Sequence, residues 1–140
     1  MVYEPIGRHV VFTGKAVQEA FAAALTEAGG SLATWVVLSA LSDVGIVSQA
    51  VLASHVHLEG ATITHHVDRL EAAGLVQRRL DPGDRRVRRL ELTPAGGELH
   101  ERLLAAAGDF ERRATAGLSQ RDVAALHRLL ARIQANLSDG

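Results

Sequence analysis

The residues whose types and spacing point to chemistry lie between positions 61 and 89. Residues 77–89 read QRRLDPGDRRVRR, six arginines against Asp81 and Asp84, in a 140-residue chain whose formal net charge is only −1. Just upstream, Thr62, Thr64, His65, His66 and Arg69 gather on the polar face of a helical repeat whose apolar positions are Ile63, Val67 and Leu70. Guanidinium groups clustered on a short turn neutralise phosphates, and hydroxyl, imidazole and guanidinium groups on one helix face reach base edges or phosphate oxygens. This is the chemistry of polyanion recognition.

Catalytic layouts are missing from the sequence. Neither a Ser-His-Asp set, nor a phosphate-binding loop, nor paired carboxylates sits on a recognisable scaffold, so an enzyme is not expected and no cofactor is called for. His65 and His66 are adjacent, so on a helix they point about 100° apart and chelate poorly. His55 and His57 straddle a helix end without a carboxylate nearby, and no metal site is expected. The absence of cysteine excludes disulfides, thiol redox sensing and cysteine-ligated zinc.

Those side chains need elements to hold them. Ser48 caps a brief helix, Gln49 to His55, a tight turn follows at 57–60, and a second helix runs from about Ala61 to Ala73 until Gly74 ends it. Residues 75–80 and 85–92 read as two short strands around the Asp81-Pro82-Gly83-Asp84 turn. In the second strand Val87, Leu90 and Leu92 are expected inward, with Arg86 and Arg88 on the other side. Upstream, residues 6–28 form a helix striped by Ile6, Val10, Val17, Phe21 and Leu25. Ser31 or Thr34 caps a buried second helix, and Ile46-Val47 has room only for a short extended bridge. Downstream, Thr93-Pro94 opens a long helix, Gly117 and Ser119 break it, and Ser119 with Asp122 starts another that runs to residue 138.

The resulting fold class is mainly α with a small β-hairpin wing, that is, a winged helix-turn-helix plus a helical region at both ends. An apolar share of 47% supports a real core, and the length suits a single domain, 1–140. No apolar run approaches the ~18–20 residues of a membrane span, and the N-terminus lacks a signal-peptide layout, so a cytoplasmic protein with no membrane partner is expected. Charge is uneven along the chain. Residues 1–59 hold two basic side chains against five acidic, residues 60–93 hold seven against five, and the remainder balances at six each.

The stretch from Ala61 to Val76 (ATITHHVDRLEAAGLV), then Arg78-Arg79, Asp84-Arg85-Arg86 and Leu92-Thr93-Pro94-Ala95-Gly96, resembles the signature of MarR-family transcriptional regulators. The elements of that signature are a recognition helix ending in an RLE..GLV run, a wing with an Asp-x-Arg element, and an LT..G start to a long helix. The flanking helices agree in number and length, so the resemblance extends over the whole chain.

The resemblance implies a homodimer that binds double-stranded DNA at a short inverted repeat, usually as a repressor. Residues 31–93 would be the DNA-binding part, and 1–30 with 94–140 the dimerisation part. The apolar stripes of the terminal helices point the same way, because the chain has no sheet large enough to cover them. Thr62, Thr64, His65, His66, Arg69, Arg85, Arg86 and Arg88 would contact DNA, with Asp84 orienting Arg86 toward the minor groove. Whether Arg85 or Arg86 enters that groove is open. Arg78, Arg79 and Arg89 have a second reading, as partners of Asp68, Asp81 or Glu91 that merely hold the wing. The family also implies a small aromatic or phenolic effector between dimerisation and DNA-binding parts, which Arg8, His9, Phe12, Trp35 and Phe110 would line. For Trp35 and the two phenylalanines, core packing is the competing reading. A winged helix used for protein–protein contact is the alternative function, and the arginine hairpin speaks against it.

Overall fold

Hydroxyl side chains set the helix boundaries. In the computed structural model, which describes residues 4–56 and 60–138, the Ser31 hydroxyl accepts the Thr34 amide at 3.1 Å and opens α2 (Leu32–Val44) after α1 (Ile6–Glu27). Ser48 does the same for Val51 at 3.2 Å and starts α3 (Gln49–Val56). Ser119 and Asp122 cap reciprocally: each backbone amide donates to the other's side chain, at 2.9 and 3.1 Å, ahead of α6 (Gln120–Ser138). Thr93 accepts the Gly96 amide at 3.1 Å and, with Pro94 in the first turn, begins α5 (Pro94–Ala114).

Between α3 and α5 lie α4 (Gly60–Ala72) and a small antiparallel sheet. Strands β2 (Val76–Leu80) and β3 (Arg88–Leu92) form the hairpin, and β1 (Val47–Ser48) adds to the far side of β3, giving the order β1-β3-β2. The turn expected at 57–60 falls largely outside the described residues. Gly74 ends α4 with φ +77°, the left-handed conformation that glycine adopts without strain.

The core sits where α2, α3 and α4 meet the sheet and α5. Leu38, Leu52, Val67, Leu90 and Leu103 are wholly buried there, each worth about 1.5–3 kcal/mol of transfer free energy. The ends of the chain differ. Leu25 is the one buried residue of α1 among those described, and α6 buries none, leaving Leu126, Leu129, Leu130 and Leu137 exposed. No single helix among the described residues is long and apolar enough to cross a membrane.

Candidate nucleic-acid interface

Helix α4 turns Ile63, Val67 and Leu70 into the core, and a rotation of about 100° per residue then distributes its polar side chains. Thr62, His65 and Arg69 are exposed, whereas Thr64 and His66 are half-buried on opposite flanks. His66 and Arg69 face an open cleft of about 170 Å³ shared with Ser31 and Thr34 at the start of α2. The His65 and His66 rings lie 6.1 Å apart, and no three metal-ligating side chains converge among the described residues.

The other flank is a polar network. The Gln49 amide nitrogen donates to the Thr64 hydroxyl at 2.6 Å, and the Gln49 amide oxygen accepts from Arg78 Nη2 at 3.4 Å. Arg78 Nη1 pairs with Asp68 at 2.7 Å and with Glu71 at 3.1 Å, while the second Glu71 oxygen accepts the Arg78 backbone amide at 3.1 Å. The Arg78 side chain is only 11% exposed, and its Nε is buried without a partner. The sequence reading singles out neither Gln49 nor Glu71 as a site residue. A signal for Glu71 was there to use, because Thr64, Asp68 and Glu71 follow the helical step along one flank. Gln49 carried no signal.

The wing divides its arginines in two. Arg79 pairs with Glu91 at 2.6 Å and Arg89 with Asp81 at 2.7 Å, so with Arg78 three of the six guanidinium groups are neutralised within the chain. Arg85, Arg86 and Arg88 are exposed and enter no ion pair among the described residues. The turn that carries them is fixed by carboxylates. Asp81 accepts the Gly83 amide at 2.7 Å, and this bond, together with Arg89, holds its carboxyl below the ordinary value. Asp84 accepts the Arg86 backbone amide at 3.0 Å, so it sets the direction of the chain at Arg86.

Two details of the hairpin differ from the sequence reading. Strand β3 begins at Arg88, because Arg85 and Arg86 are taken into the turn, where the Val87 amide donates to the Asp84 carbonyl at 3.0 Å. Arg88 pairs opposite Leu80 and shares the face of Leu90 and Leu92, two and four residues on. It stays exposed because it lies past the end of the core. Leu90 is buried, and Val87 and Leu92 are half-buried.

The expected effector residues fall into two groups. Trp35 stacks on His100 at 5.6 Å and meets Phe21 edge-on at 6.3 Å, and Phe21 lies 5.0 Å from Phe110. Ser39 lies 3.5 Å from His100 Nε2 in the same cluster. Arg8, His9 and Phe12 are elsewhere, on the exposed first turns of α1: Arg8 covers the Phe12 ring at 5.4 Å and His9 is 3.8 Å from Glu4. A groove of about 230 Å³ opens beside Phe110, between Ala24 of α1 and Arg113 of α5. That is somewhat below the ~300 Å³ at which small-molecule pockets begin.

Comparison with known proteins agrees with this architecture. A model of the MarR family matches residues 31–87, from the cap of α2 to the wing turn. The "HTH-type transcriptional repressor NicR" of Pseudomonas putida is 44% identical over 70 residues, half of this chain and 44% of that protein. The chain spans about half the length of the curated relatives it matches. A crystal structure of a probable transcriptional regulator from Pseudomonas aeruginosa superposes with a TM-score of 0.78 at 32% identity, over 92% of this chain and 99% of that one. The structure of Bordetella bronchiseptica BpsR, described by the regulation of its DNA binding by 6-hydroxynicotinic acid, gives 0.82 at 26% identity, over 96% and 98%. By the match over residues 31–87 and by its 32% identity to a probable transcriptional regulator over nearly the whole of both chains, the chain belongs to the MarR family, a family of winged-helix transcriptional regulators and not of enzymes.

Proposed function

We propose that this protein is a sequence-specific regulator that binds double-stranded DNA as a homodimer and represses transcription. Residues 31–93 form its DNA-binding part, and residues 1–30 with 94–140 its dimerisation part. Helix α4 enters the major groove with Thr62, His65 and Arg69 foremost and Thr64 and His66 contacting it from the flanks, and the wing tip lays Arg85, Arg86 and Arg88 along the adjacent backbone and minor groove. The observation that carries this reading is the split of the wing arginines: three are tied up within the chain, and the three on and beside the turn are left exposed and without an ion pair among the described residues, on a hairpin that Arg78 ties to α4.

Dimerisation is supported by the uncovered apolar stripes of α1 and α6, where Ile6 is 63% and Leu137 77% exposed. A two-fold dimer reads an inverted repeat whose half-sites are about one helical turn apart. Repression is proposed by similarity to NicR, a transcriptional repressor, and release by a small aromatic ligand by similarity to BpsR, whose DNA binding 6-hydroxynicotinic acid regulates. Trp35, Phe21, His100 and Phe110 offer the aromatic wall for such a ligand, and in the dimer the partner's helices, with Arg8, His9 and Phe12, would close it. Without cysteine, release is a shift in population between DNA-competent and incompetent spacings of the two α4 helices.

Selection from a mixed-sequence DNA pool at fixed salt, with wild type and Arg86→Ala in parallel, tests the reading. Enrichment of a palindrome that the variant binds less tightly is expected. Weak, steeply salt-dependent binding without enrichment would favour a winged helix turned to protein contact.

A further inference from the structure

Gln49 sits at a junction. It follows Ser48, which pairs with Arg89 in the sheet, and it opens α3 while its side chain reaches across to α4 and β2. Its two amide atoms are used separately: the nitrogen holds the Thr64 hydroxyl at 2.6 Å, and the oxygen receives Arg78 at 3.4 Å. Arg78 is in turn anchored on Asp68 and Glu71, one and two turns along α4 from Thr64. The bonds close a ring: Gln49 to Thr64, along α4 to Asp68 and Glu71, through Arg78, and back to Gln49. It ties the groove-facing helix to the wing and to the preceding helix.

A threonine side chain places a hydroxyl and a methyl on the same carbon, and a 120° turn about χ1 exchanges their positions. The two groups read different things, since the hydroxyl bonds to polar base edges and the methyl packs on the thymine methyl. A bond from Gln49 to the Thr64 oxygen selects one of these arrangements before DNA arrives. From this geometry we infer that Gln49 is a positioning residue for base discrimination: it presets the Thr64 rotamer, backed by the half-buried, ion-paired Arg78, and touches no DNA itself. The inference rests on the proposed reading of the groove by α4. It carries a distinctive electrostatic signature. Gln49 is neutral and Arg78 is ion-paired within the chain, so neither adds to the count of phosphates neutralised, and the salt dependence of binding is insensitive to Gln49.

The test uses the selected operator and its single-base-pair variants, each titrated at several salt concentrations, with wild type, Gln49→Ala, Thr64→Val and the double variant. Gln49→Met, which keeps the side-chain stem, serves as the second probe of the same bond. Gln49→Ala and Gln49→Met are both expected to lower discrimination at one base pair per half-site about three- to tenfold, the worth of one hydrogen bond. The salt slope should remain that of wild type. In the Thr64→Val background, Gln49→Ala should cause no further loss at that base pair. An even loss across all base pairs, a changed salt slope, or additive effects in the double variant would overturn the role of Gln49. Failure of wild type to distinguish the operator from its variants would instead remove the groove-reading premise, and the inference with it.

Discussion

Gly96 packs directly against the backbone of Leu75: a Cβ at position 96 would collide with the Leu75 carbonyl oxygen. The same oxygen accepts the Thr93 amide at 3.1 Å, and the Thr93 hydroxyl donates to the Gly74 carbonyl at 2.6 Å. The first turn of α5 is thereby fastened to the turn that leaves α4. Substituting Gly96→Ala should cost about 2–3 kcal/mol, because a backbone oxygen cannot move aside as a side chain would. At Gly97, where a Cβ meets nothing within 4 Å, the same change should be neutral or stabilise by up to about 1 kcal/mol. Urea denaturation of both variants checks the pair, and equal effects would count against the close approach.

Salt titrations should separate the wing arginines. Removing Arg86, exposed and outside the ion pairs, is expected to reduce the slope of log affinity against log salt by about 0.9 if it meets one phosphate. Removing Arg79, held by Glu91 at 2.6 Å, should leave the slope within error. Equal slopes for the two variants would defeat the division proposed for the wing.

The turn should tolerate acid longer than an unpaired carboxylate would allow. The Gly83 amide, and after it Arg89, lower the Asp81 pKa in the folded chain. A lowered value means that the Asp81 contribution is complete above the unfolded value of about 3.9 and fades only as pH falls through the folded one. An NMR titration should show the Asp81 carboxyl and the Gly83 amide moving together, with a midpoint below that ordinary value. A midpoint at or above it would contradict the bonding described.

Leu130, 37% exposed on α6, lies on the stripe assigned to the dimer. Leu130→Glu should shift the protein toward monomer in sedimentation and weaken operator binding roughly 100-fold or more, as simultaneous engagement of two half-sites is lost. A dimer that survives the substitution would place the interface elsewhere.

Trp35 is the sole tryptophan, so its emission reports on one place. A small aromatic carboxylate should change that emission saturably and release DNA over the same concentration range, and Phe110→Ala should shift both curves together. Release without any change at Trp35 would move the ligand away from the cluster of Phe21, Trp35 and Phe110.

Features decided by neighbours in the chain were legible. Ser31, Thr93-Pro94 and the Ser119–Asp122 pair act within one helical turn, and their residue types alone announce the boundaries. The inward face of α4 followed from helical spacing in the same way. Pairing across the chain was harder. Two residues, Val47 and Ser48, become a strand only because β3 offers them an edge. The shortening of β3 depends on Asp84 capturing Val87 and Arg86, a competition between turn and ladder that alternation cannot resolve. The pairs proposed for Arg78, Arg79 and Arg89 could be named as candidates, but choosing among three acids required the folded register. The aromatic residues were divided between two places because Phe12 and Phe21 sit nine residues apart on α1, about 13 Å along its axis.

The fastening of Thr93 to Gly74 and Leu75 also closes the hairpin at its base. Everything between those points is a loop with fixed ends, and the entropy of such a loop changes only slowly with its length. Its tip can therefore gain, lose or exchange residues while α4 and α5 keep their places. Within such a scaffold the wing is a replaceable part: descendants of one ancestral fold can be retuned to new binding sites by editing a few codons, with the helical framework inherited unchanged.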